Sequence, residues 1–392
     1  MSINPVEIPT GAVRYNTDSN KMEVYIGSTW MEVAVSSPNL DGGARGIVAG
    51  GNPGTNQINF FTISTQGDAQ DFGDLTQSAT LCSSGGSHVR ALTMIGTTSH
   101  SNAIEFITIS STGDALDFGD IGGTNRRNTS CTGSRTRMLI CGGIYGSNPY
   151  SYKDEIDFVT ISQTGNSIDF GDLTLGRTNP FAMSSPTRSV LGGGYYGSSP
   201  NGTNILDFVT IATTGNTVDF GDMTEARTQP FVASSPTRFV TLGGYKTPSP
   251  NASDVIEFVT TASTGNSQDF GDLMEGNSGS PASCSNSTRA ITFGGRIDGT
   301  STTTSIIQTV QIATGGNARR FGDLTEAVRF ASGTSSKTRG VRIAGYEVPA
   351  NADQSTMDYI QIATEGDAVE FGSLGRSNRS CGTSTSSDHG GL

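Results

Sequence analysis

Side chains able to do chemistry are sparse in this chain. There are three histidines, His88, His100 and His389, and five cysteines, Cys82, Cys131, Cys141, Cys284 and Cys381. A thiol nucleophile needs a base within hydrogen-bond reach, and no histidine shares a repeat position with a cysteine. The cysteines show no CxxC pair and an odd count, so neither a zinc site nor a disulfide framework is expected. The sequence lacks a G-x-S-x-G elbow, an HExxH helix and a D-x-D-x-D-G calcium loop. These absences predict no enzyme activity, no cofactor and no metal. What does recur is charge. Arg45, Arg90, Arg137, Arg188, Arg238, Arg289 and Arg339 are spaced one per unit of about fifty residues. So are Asp74, Asp120, Asp172, Asp222, Asp272 and Asp323, with Ser373 in the last place. Such a series can form a repeated Arg–Asp contact or turn cap, or a ring of charge holding an ion. Repetition favours the structural contact.

The elements that position these residues follow from the period. The segment Asp-Phe-Gly-Asp-Leu and its variants place a phenylalanine at 72, 118, 170, 220, 270, 321 and 371, in steps of 46, 52, 50, 50, 51 and 50 residues. Self-similarity at that period marks an array of supersecondary units. Residues 230–273 show the plan: PFVASSP, then TRFVTLGG, a loop, VIEFVTTA, the turn STGN and SQDFGDL. Each reads as four short strands separated by turns. The second strand ends in glycine at 51, 96, 143, 194, 244, 295 and 345. The third carries Phe60, Phe106, Phe158, Phe208, Phe258 and Tyr359, with Thr309 the exception. A turn glycine stands five residues before each FGD phenylalanine. The first strand holds small residues, among them Cys82, Cys131, Ala182, Ala233, Cys284, Ala331 and Cys381, which suits a crowded innermost position. The phenylalanines are expected to pack between neighbouring units, each burial contributing about 2 kcal/mol or more.

Four strands per unit, with a double glycine closing the second, resembles the kelch repeat from Arg45 to the C-terminus. The resemblance implies an all-β fold, a seven-bladed β-propeller with four-stranded blades over residues 41–392. Kelch blades usually carry a Tyr and a Trp where this chain has the two aromatic series. The first unit starts at its second strand, and residues 380–387 have a first-strand pattern. Pairing that C-terminal strand beside residues 46–49 would close the ring and remove open edges. Copper-radical oxidases built on propellers resemble this fold, but their paired Tyr and His ligands have no convincing counterpart here.

Composition narrows the function further. Net charge is −12, with no Lys/Arg-rich run, which disfavours nucleic acid. The first thirty residues show no signal pattern and no apolar run nears ~18 residues, so neither secretion nor membrane insertion is expected. Residues 1–40 stand outside the repeat, as a β-meander with strands at 12–15, 22–25 and 30–33 and a linker at 36–43. A meander this small needs a surface to lean on: the large domain, copies of itself or a partner. It resembles the short N-terminal G-x-x-R-Y-N-T…E-x-Y…W module of bacteriophage tail-fibre and other virion proteins, through Gly11, Arg14, Tyr15, Asn16, Thr17, Glu23, Tyr25 and Trp30. That resemblance, over about twenty residues, implies docking through Arg14, Tyr15, Tyr25 and Trp30, a virion location after synthesis in the host cytoplasm, and other virion proteins as partners.

The loops between second and third strands vary where the rest repeats. They bring Tyr145, Tyr150, Tyr152, Tyr195, Tyr196, Tyr245, Arg296 and Tyr346 toward one face. Tyrosines among Ser, Asn and Gly give contact area at little entropy cost. This face is expected to bind a host-surface glycan or another virion protein. Two alternatives stand beside it: a propeller-type carbohydrate-active enzyme or oxidase using His88 or His389, and a cytoplasmic kelch-like adaptor for one protein.

Overall fold

A computed structural model describes residues 8–16, 21–32, 45–80, 82–96, 101–123, 125–147, 150–197, 201–235, 237–246, 252–278, 282–297, 300, 302–348, 350–380 and 382–386. The chain divides into two compact units, Met1–Leu40 and Asp41–Leu392. Among the described residues the secondary structure is all β.

The smaller unit is a three-stranded antiparallel sheet of Val13–Asn16, Lys21–Ile26 and Thr29–Glu32. Its register sets Val24 opposite both Val13 and Met31, and Tyr25 opposite Trp30. Opposed residues share a face, so the alternation of the sequence sorts this sheet into two unlike surfaces.

In the larger unit each FGD phenylalanine belongs to a four-stranded antiparallel meander, numbered here from unit 1 to unit 7 in chain order. Units 2 to 7 begin with Ser83–Gly86, Ser130–Gly133, Phe181–Ser184, Phe231–Ser234, Ala282–Ser285 and Ser332–Ser335. Unit 1 takes its first strand from the far end of the chain: Gly382–Ser386 pairs antiparallel with Arg45–Ala49. Units 5 and 6 share one eight-stranded sheet, because Gln268–Ser278 runs on to pair with Arg289–Ile297. Each first strand packs beside that of the next unit, including Ser332–Ser335 beside Gly382–Ser386 and that strand beside Ser83–Gly86. Such proximity requires small side chains: a Cβ on Gly85 would lie 2.9 Å from the Met138 sulfur.

The FGD phenylalanines pack where two consecutive units meet. Phe170 lies with Leu139, Ile156 and Phe158 of its own unit and with Leu191, Val209 and Ile211 of the next. Phe371 joins Val341 and Met357 of unit 7 to Val48, Phe61 and Ile63 of unit 1. Six of the seven meet their own third-strand aromatic edge-on, as Phe170 meets Phe158 at 5.9 Å and 84°, the exception being Phe321, whose unit has Thr309 at that place.

The glycine after each phenylalanine lets the next unit approach. The turn glycine of the following unit donates to the phenylalanine carbonyl, from Gly113 to Phe72 at 2.7 Å and Gly316 to Phe270 at 2.6 Å to Gly67 to Phe371 at 2.9 Å. A Cβ on Gly221 would stand 2.5 Å from the Gly265 carbonyl, and its φ of +142° independently favours glycine. One residue after the turn glycine, Asp114, Asn166, Asn216, Asn266, Asn317, Asp367 or Asp68 accepts the backbone N–H of the FGD aspartate, or of Ser373, one unit earlier.

The recurring arginines and aspartates are therefore not partners. The Nη1 of Arg45, Arg90, Arg137, Arg188, Arg238, Arg289 and Arg339 donates to a backbone carbonyl of the next unit, at 2.7 to 3.1 Å. Arg339 reaches Ile63 of unit 1. Six of these guanidinium groups lie 4.3 to 4.8 Å from the centre of the third-strand aromatic ring, Phe60, Phe106, Phe158, Phe208, Phe258 or Tyr359. The expected Arg–Asp contact is corrected on this point. A carbonyl holds each guanidinium, with aromatic stacking added in all but Arg289, while the aspartate backbone is capped from the neighbouring turn.

Candidate functional site

Two regions of the larger unit gather side chains worth weighing as a site: a series of buried acids at the junctions, and the face that carries the varied loops.

The residue before each third-strand aromatic, or before Thr309 in unit 6, is Asn59, Glu105, Asp157, Asp207, Glu257, Gln308 or Asp358. Four of these acids meet arginines that are 0% exposed: Arg126, Arg177, Arg227 and Arg342. Arg177 Nη2 donates to Asp207 at 2.6 Å and to the Leu191 carbonyl at 3.4 Å, and its Nη1 to the Ile205 carbonyl at 3.2 Å. Arg126 bonds Asp157 at 2.5 Å and Glu155 at 2.7 Å. Arg227 pairs with Glu257. The end of the preceding unit's fourth strand also contributes, as Thr174 Oγ1 donates to Asp207 at 2.7 Å. Burial pushes the Asp207 carboxyl up and pulls the Arg177 guanidinium down, and each charge opposes the other's shift. We take both as ionised, because the pair is held by charge-assisted hydrogen bonds on both sides.

In units 3, 4 and 5 the arginine precedes the first strand. In unit 7 that position is Val328, buried, and the guanidinium comes from Arg342 on the second strand, directly across from Asp358. One space is filled from two sequence positions. Sequence reasoning passed over these arginines. The signal was the R-T-[NQ]-P-F run at Arg177 and Arg227, together with the polar residue before each aromatic.

The face of the varied loops is built by a repeated bridge. The residue after the second-strand glycines pairs with one just ahead of the first strand: Tyr195 with Thr178, Tyr245 with Thr228, Tyr346 with Arg329, Ile144 with Arg127 and Arg296 with Ser278. Tyr145, Tyr150 and Tyr196 are exposed, whereas Tyr152, Tyr195, Tyr245, Arg296 and Tyr346 are half-buried. Ile144–Tyr145 and Ser151–Tyr152 form a small ribbon. Arg127 lies 5.6 Å from the Tyr150 ring and donates to its hydroxyl at 3.4 Å. Tyr346 is approached by Arg329 at 5.3 Å and Arg379 at 4.7 Å. Arg296 is turned onto the Thr300 carbonyl at 2.7 Å. These residues share a rim without converging on one pocket.

In the smaller unit the four docking candidates fall on opposite faces. Arg14 stacks 4.2 Å over Trp30 and pairs with Glu23 at 2.7 Å, and Tyr25 tilts against Trp30 at 5.3 Å. Hydrogen bonds from Asn16 and Arg14 hold the Glu23 carboxyl below its usual range. Tyr15 lies on the other face with Val13, Met22, Ile26 and Met31, all exposed.

Cys131 and Cys284 have their thiols pushed up by burial, and Cys141 is pushed up to about 12 for the same reason. None is poised as a nucleophile at neutral pH. His100, His389 and Cys381 lie outside the described residues, as do the whole residue 36–43 linker and residues 17–20.

No family model matches the chain, and no curated protein matches it. Solved structures do resemble it. One, "Structure of YjhT", superposes with a TM-score of 0.58 at 9% identity, over 74% of this chain and 96% of its own. At that identity the likeness concerns the fold alone: an all-β, propeller-like arrangement of four-stranded antiparallel sheets.

Proposed function

We propose that the repeat region is a closed, kelch-like seven-bladed propeller, and that the chain is a non-enzymatic structural protein of a bacteriophage virion, part of a tail, neck or capsid appendage. In this reading residues 1–40 dock onto another virion protein. The tyrosine-bearing face meets a host-surface glycan or a further virion protein.

Closure is supported by the junction between units 7 and 1. It repeats the contacts of the other junctions, from the Arg339 to Ile63 bond to the Gly67 to Phe371 bond. The observation that carries the docking role is the apolar face of the small sheet, where Val13, Tyr15, Met22, Ile26 and Met31 stand exposed together. A contiguous apolar patch is the ordinary mark of an interaction surface, and a three-stranded sheet of this size needs one to be stable.

Removal of residues 1–40 tests the reading. The remaining protein should fold and keep its thermal transition, yet fail to enter particles when supplied in trans to a phage lacking the gene. Normal incorporation would refute the docking role. On the tyrosine-bearing face, Tyr150→Ala with Tyr196→Ala should leave incorporation intact and lower adsorption to host cells several-fold.

A further inference from the structure

The bridge that anchors each varied loop has one residue just ahead of the first strand. That residue is threonine or serine in units 2, 4, 5 and 6, and arginine in units 3, 7 and 1, as Arg127, Arg329 and Arg379. The three arginines are engaged to different degrees. Arg127 donates to the Tyr150 hydroxyl at 3.4 Å, and Arg379 Nε lies 3.5 Å from Asp353. Arg329 has no counterpart to either contact. Among the described residues no carboxylate forms an ion pair with it and no oxygen accepts from its guanidinium, and its Nε is buried. Its contacts are aromatic: Phe330 at 5.0 Å and Tyr346 at 5.3 Å.

Units 7 and 1 are neighbours, and their two arginines come to the same ring. Arg379 lies 4.7 Å from the centre of Tyr346, which Arg329 also approaches. The ring is held in place: the Tyr346 hydroxyl bonds Asn351, and its backbone exchanges hydrogen bonds with Arg329 at 2.7 and 3.0 Å. A cation beside a ring face spends no N–H on it. Two guanidinium groups therefore stand on one tyrosine against a single ion-paired carboxylate, Asp353. With a net charge of −12 the chain as a whole repels anions, so an anion is held here through these donors and not through the general field. Planar N–H forks in excess of acceptors suit a carboxylate or a phosphate. In the described parts of the varied loops, the exposed large hydrophobics are Tyr145, Tyr150 and Tyr196. A protein interface has an apolar core, whereas a rim whose exposed apolar area is all tyrosine suits the flat faces and hydroxyls of sugars.

We propose that Arg329 and Arg379, positioned by Tyr346, bind the carboxylate or phosphate of an acidic sugar in a host-surface glycan; the glycan as partner rests on the reading given above. The experiment titrates the full chain with methyl glucuronide, glucose 6-phosphate and neutral methyl glucoside at equal ionic strength, read by NMR. At least one acidic sugar should bind about tenfold more tightly than the neutral one, and which of the two it is identifies the anionic group. Arg329→Gln should weaken that binding about tenfold, and Arg329→Lys, which keeps the charge and loses the fork, should recover part of the loss. Arg379→Gln, at a side chain 31% exposed, should act as Arg329→Gln does and serves in its place should that variant fail to fold. Acidic sugars that bind no better than the neutral one would overturn the proposal, as would binding that survives both glutamine substitutions. Adsorption to host cells separates this site from the reading it rests on. A loss with Tyr150→Ala and Tyr196→Ala, but none with Arg329→Gln and Arg379→Gln, overturns the site and keeps the glycan-binding face. Adsorption unchanged by either pair, with acidic sugars still bound through Arg329, supports the site and removes the host-glycan role.

Discussion

Each unit touches the next in two places, and the two are built differently. Beside the FGD turn the contact is made by backbone: a glycine N–H, a phenylalanine carbonyl and a glycine with no room for a side chain. It recurs at every junction. Beside the third-strand acid the contact is made by side chains, a threonine of the preceding unit such as Thr76, Thr174, Thr224 or Thr325 reaching the acid, and the partner that the acid finds in its own unit varies: Arg with Asp, Arg with Glu, an arginine moved from loop to strand, a neutral amide in place of the acid, and Glu105 with none of these. A backbone contact admits one solution because its geometry leaves no atom to vary. A buried charge pair admits several, since any residue that delivers a cation to the same point satisfies the acid.

The comparison can be strained first at its side-chain end. Asp207→Ala would leave Arg177 buried and uncompensated, and should destabilise the protein by about 3–5 kcal/mol in chemical denaturation. Adding Arg177→Met should recover most of that loss, because an apolar pair of similar volume often does as well as a buried ion pair. If the double variant is as unstable as the single, the pair is not the unit of interaction.

At the backbone end, Gly221→Ala should cost about 2–3 kcal/mol, combining the approach of Gly265 with an unfavourable φ. Gly215→Ala has an equally unusual φ of +153° but open space around its Cβ, and should cost about 1 kcal/mol. Equal losses would mean that strain, not the neighbouring unit, sets the requirement for glycine.

Two smaller effects extend the contrast to groups outside the junction pairs. Cys141 and Cys284, both buried, should resist a thiol reagent at pH 7.5 and react fully once denatured, since burial disfavours each thiolate. In the small sheet, Glu23 is held below the usual carboxylate range, so its contribution to stability is present above that range. It is lost as pH falls through the ordinary value toward the lowered one. Trp30 fluorescence should report that loss on acidification, and Arg14→Ala should move the Glu23 titration back toward the ordinary carboxylate value, as read by NMR.

Much of the architecture was legible because its determinants are local and repeated. The FGD phenylalanines, the turn glycines and the strand count could be placed from spacing alone, and the first-strand pattern of residues 380–387 pointed to residues 46–49, where Gly382–Ser386 is found paired. The role of Arg45 and its equivalents was not, since the acceptor is a backbone carbonyl in another unit and leaves no mark in residue type. The docking residues were grouped by a motif, whereas strand alternation puts Tyr15 and Trp30 on opposite faces.

The sequence by itself determined the period, the four-strand plan and the positions that must be glycine or small, because each of these is a constraint on a residue's own backbone or volume. Only the tertiary structure decided which charge meets which: that Arg342 replaces Arg177's counterpart, that Val328 makes room for it, and that Arg329 and Arg379 meet on one tyrosine. Such pairings depend on where side chains from distant segments end in a dry interior. There a few ångströms separate a satisfied ion from an isolated one, and residue order does not encode that distance.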